Sequence, residues 1–267
     1  MPTSEGAAAR YGLITVAAPL DLAAVQAAFA ARELFLAYQP IVALSDESCV
    51  GAESLIRWRH DGWTVEAAEF MPLTDRTPLS GVLTYWVIDT IANELGDWLG
   101  SHSRAHIGIN IPPEILGRGG IEYAAVKSGL RDYAKQLILE ITERGIPDEL
   151  GLEALNRIPE TGARVALDDM TLSGANLALL ARCHFDLVKI DRALVAELAA
   201  DRPEPEWLDG LTALLRTTAL EIVAEGVETE YQARTLHVAG VQLAQGHYFS
   251  EALSADDFKR FYDAGSA

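Results

Sequence analysis

The run Gly51-Ala52-Glu53-Ser54-Leu55-Ile56-Arg57-Trp58 places a carboxylate directly after an apolar approach without turn residues. We predict the end of a buried strand here, where a carboxylate is costly unless a cation pairs with it. Arg57 is the nearest cation, and its even spacing puts it on the same strand face as Glu53. The run alone allows two interpretations, a structural ion pair or part of a functional site.

The composition indicates a globular protein with a strong negative charge. Its 267 residues fit one α/β barrel or two small domains, and a hydrophobic share of 49% is that of an ordinary soluble globule. The formal charge of -18 predicts a surface that repels nucleic acid polymers and anionic membranes. The apolar run from residue 11 to residue 20 is too short to span a bilayer, so we expect no membrane contact by this segment.

The two cysteines indicate a reducing compartment. Cys49 and Cys183 both lie in apolar surroundings, and their spacing fits no zinc motif. We therefore predict two reduced, buried thiols in a cytoplasmic protein, or in the cytoplasmic domain of a membrane-anchored one.

The first part of the chain is predicted to lead into a single barrel domain. Residues 1–19 are small and weakly patterned, so we predict a flexible lead-in, with the barrel domain over residues 20–267. Asp21 can cap a first helix. We predict a strand over residues 34–38 that Gln39-Pro40 ends, a strand pair over 41–44 and 50–55, and a helix over 78–99.

From residue 106 onwards, short apolar runs alternate with helical stretches. The predicted strands cover residues 106–109, 137–141, 164–167, 187–190, 222–224 and 241–244. The predicted helices cover residues 120–133, 176–182, 206–218 and 229–239. This alternation is typical of an α/β protein with a parallel sheet. With no Gly-x-Gly-x-x-Gly run after a strand, it favours a β/α barrel over a doubly wound sheet.

Nearly every predicted strand has a polar side chain at its C-terminal end. The carboxyl ends of barrel strands meet on one face, where active sites are built. A random scatter of structural acids would not favour one end of each strand, so the pattern favours a functional site. These side chains belong to Glu53, Asn110, Glu140, Asp168, Asp169, Lys189, Glu225 and Gln245.

The chemistry of this set favours hard divalent cations. Oxygen ligands without His or Cys are those that Mg²⁺ and Mn²⁺ prefer. Five carboxylates beside one lysine leave a negative excess that fits two ions better than one, and two such ions suit attack of water on a phosphodiester. Lys189 could orient the attacking hydroxide, with a salt bridge to Asp169 or Asp191 as its structural alternative. Arg57 could hold a second phosphate.

The motifs of this chain, taken in order, resemble those of EAL-domain cyclic di-GMP phosphodiesterases over about residues 21–262. Glu53-Ser54-Leu55 is similar to the motif that names the family, and the ordered set is far more specific than any one member. The further matches are Tyr38-Gln39-Pro40-Ile41-Val42, Ile109-Asn110-Ile111-Pro112, Leu139-Glu140-Ile141-Thr142-Glu143, Ala166-Leu167-Asp168-Asp169, Val188-Lys189-Ile190-Asp191, Ala224-Glu225-Gly226-Val227-Glu228-Thr229 and Gln245-Gly246-His247-Tyr248-Phe249.

The resemblance implies a modified TIM barrel with one antiparallel strand. It also implies hydrolysis of cyclic di-GMP to linear pGpG, dependent on Mg²⁺ or Mn²⁺. The ligands that it implies for the first of two metals are Glu53, Asn110, Glu140 and Asp168. For the second metal they are Asp168 and Asp169.

The resemblance implies further roles around these metals. The attacking water is expected to lie near Lys189 and Glu225, so the implied catalytic residues are Glu53, Lys189 and Glu225. Glu143 is implied as the anchor of the loop after the paired aspartates. The implied substrate contacts are Gln39, Leu55, Arg57 and Gln245. A homodimer and a fused sensor or GGDEF domain are further expectations.

The sequence departs from the family pattern directly after Asp169. Active members usually continue as Phe-Gly-Thr-Gly-Tyr-Ser, whereas this chain has Met170-Thr171-Leu172-Ser173-Gly174-Ala175. Thr171 and Ser173 thus replace glycines that permit left-handed turns. In the family this loop links metal binding to dimerisation, so the alternative to an active enzyme is an impaired domain that acts as a cyclic di-GMP receptor or protein-interaction module. A phosphodiesterase for another nucleotide is a third interpretation.

Overall fold

The chain forms one sheet whose strands close into a barrel. The computed structural model describes residues 20–141, 147–170, 180, 182–202 and 204–265. Within these ranges the strands are β1 (Leu34–Ala43), β2 (Cys49–His60), β3 (Trp63–Glu66), β4 (His106–Ile111), β5 (Leu137–Ile141), β6 (Arg164–Met170), β7 (Leu187–Ile190), β8 (Glu221–Ala224) and β9 (Leu243–Ala244).

The closed barrel has eight strands among the described residues, and β3 lies outside it against β2. The order around the barrel is β1-β2-β4-β5-β6-β7-β8-β9, with β9 returning to β1. Strand β1 is antiparallel to both of its neighbours, whereas the remaining barrel pairs are parallel. The predicted modified barrel with one antiparallel strand is therefore confirmed.

Helices cover the outside of the barrel. They are α1 (Leu22–Ala30), α2 (Ala67–Phe70), α3 (Pro78–Ser101), α4 (Gly120–Ser128), α5 (Glu149–Arg157), α6 (Arg192–Val195), α7 (Glu206–Thr217), α8 (Glu230–Val238) and α9 (Ala255–Gly265). In the described part of the chain, none of them combines the length and apolar character that a membrane crossing requires. Of the helix predicted over 176–182, only residues 180 and 182 lie within the described ranges.

Local chemistry sets several helix ends. The carboxylate of Asp21 accepts a hydrogen bond from the backbone N–H of Ala24 at 2.8 Å, which confirms the predicted cap of α1. Helix α4 ends at Ser128, because Gly129 takes a left-handed φ of 81°. The prediction that this helix continues to residue 133 is therefore wrong, and a 3₁₀ segment over Leu130–Gln136 follows instead.

Strand β1 continues through Gln39 and Pro40, so the prediction that this pair ends the strand is wrong. Alternate residues of a strand direct their backbone groups to opposite sides. Tyr38 donates its N–H to the carbonyl oxygen of Leu253 at 2.8 Å, on the side away from β2. Pro40 lies two residues further and would direct an N–H to the same side. The ladder between β1 and β2 therefore loses no hydrogen bond to the proline.

Strand β2 extends to His60, so Glu53 lies in the middle of a strand rather than at its end. Its pairing with β4 stops at Ser54, and beyond that point its neighbours are β1 and β3. The turn to β3 is Asp61-Gly62, with φ values of 49° and 83°. Two positive φ values at an Asp-Gly pair belong to the type I′ turn that suits a two-residue hairpin.

The barrel interior is built in layers because every second residue of a strand points inward. The middle layer is apolar and forms a hydrophobic cluster of its own, separate from the larger core between the sheet and the helices. Its buried members are Ile41, Ile138, Ala166, Leu187, Val223 and Leu243. In five cases a polar side chain follows two residues further along the chain, on the same strand or just after it. These residues are Glu140, Asp168, Lys189, Glu225 and Gln245.

The thiols agree with the sequence-based prediction. Cys49 and Cys183 are both buried and neither forms a disulfide. Burial raises the pKa of the Cys49 thiol to about 11, so this side chain is a neutral, apolar core residue at neutral pH.

The close approach of β2 to β4 gives a prediction about Gly51. A Cβ at this position would lie 2.0 Å from the carbonyl oxygen of His106, a backbone atom that cannot move alone. We expect Gly51→Ala to lower the free energy of unfolding by about 2 to 3 kcal/mol in urea titrations. The matched control is Gly96→Ala in α3, where a Cβ meets nothing within 4 Å. That change should raise stability by about 0.5 to 1 kcal/mol, and equal effects of the two changes would contradict the packing account.

Candidate metal and catalytic site

A single buried ammonium lies at the centre of the polar layer. Lys189 is 1% exposed, and its Nζ lies 2.9 Å from Glu53, 2.7 Å from Glu140, 3.1 Å from Asp168 and 2.6 Å from Glu225. The four acids stand on or just after four different strands, as predicted for groups that meet at one barrel mouth. The structural alternative for Lys189, a salt bridge to Asp169 or Asp191, is not what the described contacts show.

The charges in this cluster do not balance. An ammonium has three N–H donors and cannot satisfy four carboxylates. The Oδ1 atom of Asp168 is buried and accepts no hydrogen bond among the described groups, although Nζ lies 3.1 Å away. If all four acids are ionised, one lysine leaves three negative charges uncompensated. Such an arrangement is costly in a metal-free protein and suits additional cations.

The imbalance appears in the pKa values of the acids. Burial and the neighbouring carboxylate of Glu53 raise the pKa of Glu140 well above its ordinary value. Burial likewise raises the pKa of Glu225 well above its ordinary value, against the pull of Lys189. Burial would lower the pKa of Lys189, but the surrounding acids outweigh it and the pKa lies well above its ordinary value. Lys189 therefore stays charged, and the four acids compete for hydrogen bonds with its ammonium.

Two amides hold Glu53 in its ionised form. Asn110 donates from Nδ2 to Oε1 of Glu53 at 2.7 Å, and Gln245 donates from Nε2 to Oε2 at 2.7 Å. Burial acts to raise the pKa of Glu53, but Lys189 and the two amide hydrogen bonds outweigh it, so the pKa lies below its ordinary value. Asn110 and Gln245 thus lie within reach of Glu53, where the sequence analysis expects them.

The paired aspartates both reach the site because β6 is irregular there. The pairing of β6 with β7 shifts between Leu167 and Met170, and Asp169 takes a left-handed φ of 51°. A non-glycine residue in this conformation is strained, and such strain concentrates at functional sites. On a regular strand Asp168 and Asp169 would point to opposite faces, whereas here both side chains contribute to one group of acids.

The acids form two groups with the geometry of metal sites. In each group, one oxygen atom per residue lies within 4.8 Å of the oxygens of the other two residues. Asp168 belongs to both groups, and its buried, unbonded oxygen is available for a further partner. Purely oxygen donors fit hard divalent cations. The first group is Glu53, Glu140 and Asp168, and the second is Asp168, Asp169 and Glu225.

A pocket of about 400 Å³ opens beside the two groups. Leu55 and Asn110 form part of its wall, and Asp168 and Asp169 reach it from β6. The sequence motifs do not indicate its outer wall, which comes from α2, the segment directly after it, and the loops after β4 and before α5. That wall includes Ala67, Ala68, Met71, Pro113, Glu114, Arg118, Pro147 and Asp148. Loops after barrel strands are where such walls arise, but which loop residues face the pocket depends on three-dimensional packing.

The other predicted substrate contacts lie along the same strand faces. Gln39 is half-buried and stands directly opposite Glu53 in the β1–β2 pair. Arg57 shares the face of Glu53 but lies beyond the pocket wall, and its Nη2 pairs with Glu66 of β3 at 3.1 Å. The structural interpretation of Glu53 as an ion pair with Arg57 is therefore not what the described contacts show, because Lys189 takes that place. Glu143, the predicted loop anchor, lies outside the described residues.

The raised pKa of Glu140 gives a prediction about pH. In the folded protein Glu140 holds its proton to higher pH than in the unfolded chain, where the ordinary pKa is 4.5. The free energy of unfolding of the metal-free protein should therefore fall as the pH rises from 4.5 through the raised pKa. Glu140→Gln removes this titration, so urea unfolding in EDTA should show a shallower pH slope.

Glu153→Gln is the control, because Glu153 is exposed on α5. It should leave the slope of the wild-type protein unchanged. An identical slope in Glu140→Gln and in the wild type would contradict the assignment of the titration to this buried acid.

Comparisons with known proteins agree with this geometry. The chain is 34% identical over 242 residues to the probable cyclic di-GMP phosphodiesterase PdeB of Escherichia coli, covering 89% of this chain and 46% of that protein. It is 32% identical over 231 residues to the bifunctional diguanylate cyclase/cyclic di-GMP phosphodiesterase MucR of Pseudomonas aeruginosa, covering 84% of this chain and 34% of that protein. The chain thus spans less than half the length of these two relatives.

A solved structure has the same architecture. The PaMucR phosphodiesterase in complex with c-di-GMP superposes with a TM-score of 0.79 at 30% identity, over 89% of this chain and 98% of that chain. The family model of the EAL domain matches residues 22–252, which include every barrel strand and all four acids around Lys189. The chain belongs to the EAL domain family.

Proposed function

We propose that this domain hydrolyses cyclic di-GMP to linear pGpG with two divalent metal ions, Mg²⁺ or Mn²⁺. The observation that carries the proposal is the pair of acid groups that share Asp168 beside the 400 Å³ pocket. The names of the relatives PdeB and MucR, which refer to cyclic di-GMP phosphodiesterase activity, support the choice of substrate.

The acids of the site fit the proposed ions. Glu53, Glu140 and Asp168, with the amide oxygen of Asn110, would hold the first, and Asp168 with Asp169 would hold the second. Their uncompensated negative charge and the unbonded oxygen of Asp168 support this assignment. When bound, two such ions activate water and neutralise charge on the phosphate.

Lys189 and Glu225 are proposed to position the attacking water. Their side chains lie 2.6 Å apart at the edge of the second acid group, and Glu225 is more exposed than the other three acids around the lysine. With Glu53 and Glu140 serving as metal ligands, the ammonium of Lys189 would have an N–H free to donate to the water oxygen. The carboxylate of Glu225 can accept a water proton, since burial makes it a stronger base.

The remaining predicted residues are proposed to hold the substrate. Leu55 offers an apolar wall in the pocket for a base or ribose. Gln39 and Gln245 flank Glu53 from β1 and from the end of β9. The buried guanidinium of Arg57 has the planar fork that suits the second phosphate of a cyclic dinucleotide.

The proposal predicts that Glu53→Ala abolishes hydrolysis. This change removes a ligand of the first metal and the partner of Lys189, Asn110 and Gln245, so turnover should fall by at least about a thousandfold. Chromatographic detection of pGpG with Mg²⁺ or Mn²⁺ measures the effect. Glu153→Gln should retain wild-type turnover. A wild-type protein that binds cyclic di-GMP and the metals but never cleaves the nucleotide would remove the enzyme proposal.

The second candidate function is a receptor that binds cyclic di-GMP without turnover. The departure that favours it is the replacement of two family glycines by Thr171 and Ser173. Both residues lie outside the described ranges, so only the sequence supports this candidate. Residues other than glycine enter left-handed conformations at a cost, which would misplace a loop that continues directly from Asp169.

Restoring both glycines separates the two candidates. For an enzyme slowed by this loop, the double variant Thr171→Gly/Ser173→Gly should increase turnover by about tenfold or more, with the affinity for cyclic di-GMP little changed. For a receptor, tight binding should persist with no turnover in either protein. Turnover that is already high and unaffected by the double change would remove the receptor candidate.

A further inference from the structure

A second cavity lies at the opposite end of the barrel from the acid groups. It has a volume of about 160 Å³, and its walls include most of the apolar middle layer. Its entrance is formed by residues at the N-terminal ends of the strands and by Arg104 just before β4. The entrance residues are Val50, Arg104, His106, Arg164 and Glu221.

The exposure of the wall residues shows where this cavity opens. Glu140 and Lys189 form its inner end and are each 1% exposed. Arg164 and Glu221 have side chains that are 29% and 32% exposed, and Arg104 is exposed. The cavity is therefore a blind chamber that opens to solvent at the N-terminal mouth and ends under the polar layer.

Small residues leave this space unfilled. In an ordinary barrel the interior is packed by layers of branched side chains. Here Ala166 contributes a methyl group to the middle layer, and Gly51 has no room for any side chain because of the backbone of His106. The remaining walls, Ile138, Leu187 and Val223 among them, are apolar, so the chamber suits an apolar group rather than a hydrated ion.

The entrance has a positive charge that no acid in the described part of the chain pairs with. Arg164 already pairs with Glu221 at 2.6 Å, so the two cancel. Arg104 forms no ion pair with any residue in the described ranges. Burial and the charge of Arg164 lower the pKa of His106, so its imidazole is neutral at pH 7, and its ring already hydrogen-bonds to the backbone at Val50 and Arg104. The cation of Arg104 beside an apolar chamber complements a single negative charge on an apolar body.

We propose that this chamber binds a small monocarboxylate, with its hydrocarbon chain among the middle-layer side chains and its carboxylate at Arg104. The volume admits a ligand of about six to eight non-hydrogen atoms. A multiply charged phosphate fits poorly, because the inner end borders the acid-rich layer at Glu140. The ligand occupies the face of the barrel opposite the phosphodiesterase pocket, and the proposal is independent of that activity.

Hexanoate is the probe for this site. Isothermal titration should give a dissociation constant of about 1 mM, the affinity expected for a ligand of this size. Methyl NMR spectra should place the shifts at Ile138, Leu187 and Val223 rather than at Leu55 in the upper pocket. Hexanol and hexylamine should bind at least about tenfold more weakly than hexanoate, because they lack the negative charge.

Matched variants test the two parts of the chamber. Arg104→Glu should weaken hexanoate binding by at least about tenfold, whereas Arg202→Glu, at another exposed arginine, should leave it unchanged. Ala166→Leu should block binding by filling the chamber. Because Ala166 is fully buried, Val50→Phe at the half-buried entrance provides a second obstruction that the fold can tolerate.

Several results would overturn the proposal. They are the absence of binding at about 20 mM hexanoate, more than tenfold above the expected constant, equal binding in Arg104→Glu and in the wild type, and shifts confined to the upper pocket. Equal affinity for hexanol would also overturn it, since the carboxylate would then have no role.

Discussion

The contact between the Lys189 ammonium and four carboxylates is the interaction on which the rest of this site depends. Its four partners come from four places far apart in the chain, and only the closed barrel brings them within 3.1 Å of one nitrogen. A buried ion pair is seldom worth more than the apolar residues that could replace it. This cluster is less favourable than a neutral ion pair, because four acids surround one lysine and leave an excess of negative charge. Stability alone does not explain it, whereas a requirement for cations does.

The barrel supports this cluster by burying it, since Glu140 and Lys189 are each only 1% exposed. The apolar middle layer lies directly below the acids, and the pleat of each strand places an apolar and a polar residue two positions apart. Asp169 departs from regular strand geometry at the irregularity in β6, and this departure lets two successive aspartates serve one site. The same layering leaves the lower chamber under the acids, bordered by Glu140 and Lys189 from below.

Much of this arrangement could be predicted from the sequence. Short apolar runs ending in acids or amides indicated a barrel with a polar mouth, and the bounds of β5 and β7 agree with the predicted ones. The ordered motifs indicated the family and the antiparallel strand. The count of five carboxylates beside one lysine already indicates that the charge of Lys189 cannot neutralise the acids.

Other features depend on packing that no short pattern records. The sequence predicts that Pro40 ends β1. The strand continues because the position of the missing N–H faces away from β2, on the side where Leu253 lies beside Tyr38, and the sequence does not show which neighbour lies on that side. Spacing along one strand indicates Arg57 as the nearest cation to Glu53, but it cannot reveal a lysine 136 residues away. The outer pocket wall and the lower chamber likewise arise from contacts between distant elements.

The central claim is that these acids hold two divalent ions through a shared aspartate, and Mn²⁺ binding measured by electron paramagnetic resonance tests it most directly. The account predicts two bound ions per chain in the wild-type protein. Asp168→Asn should weaken both, because Asp168 belongs to both acid groups, whereas Glu140→Gln should weaken only one. No bound Mn²⁺ in the wild type, or two ions that remain equally tight in Asp168→Asn, would contradict the account.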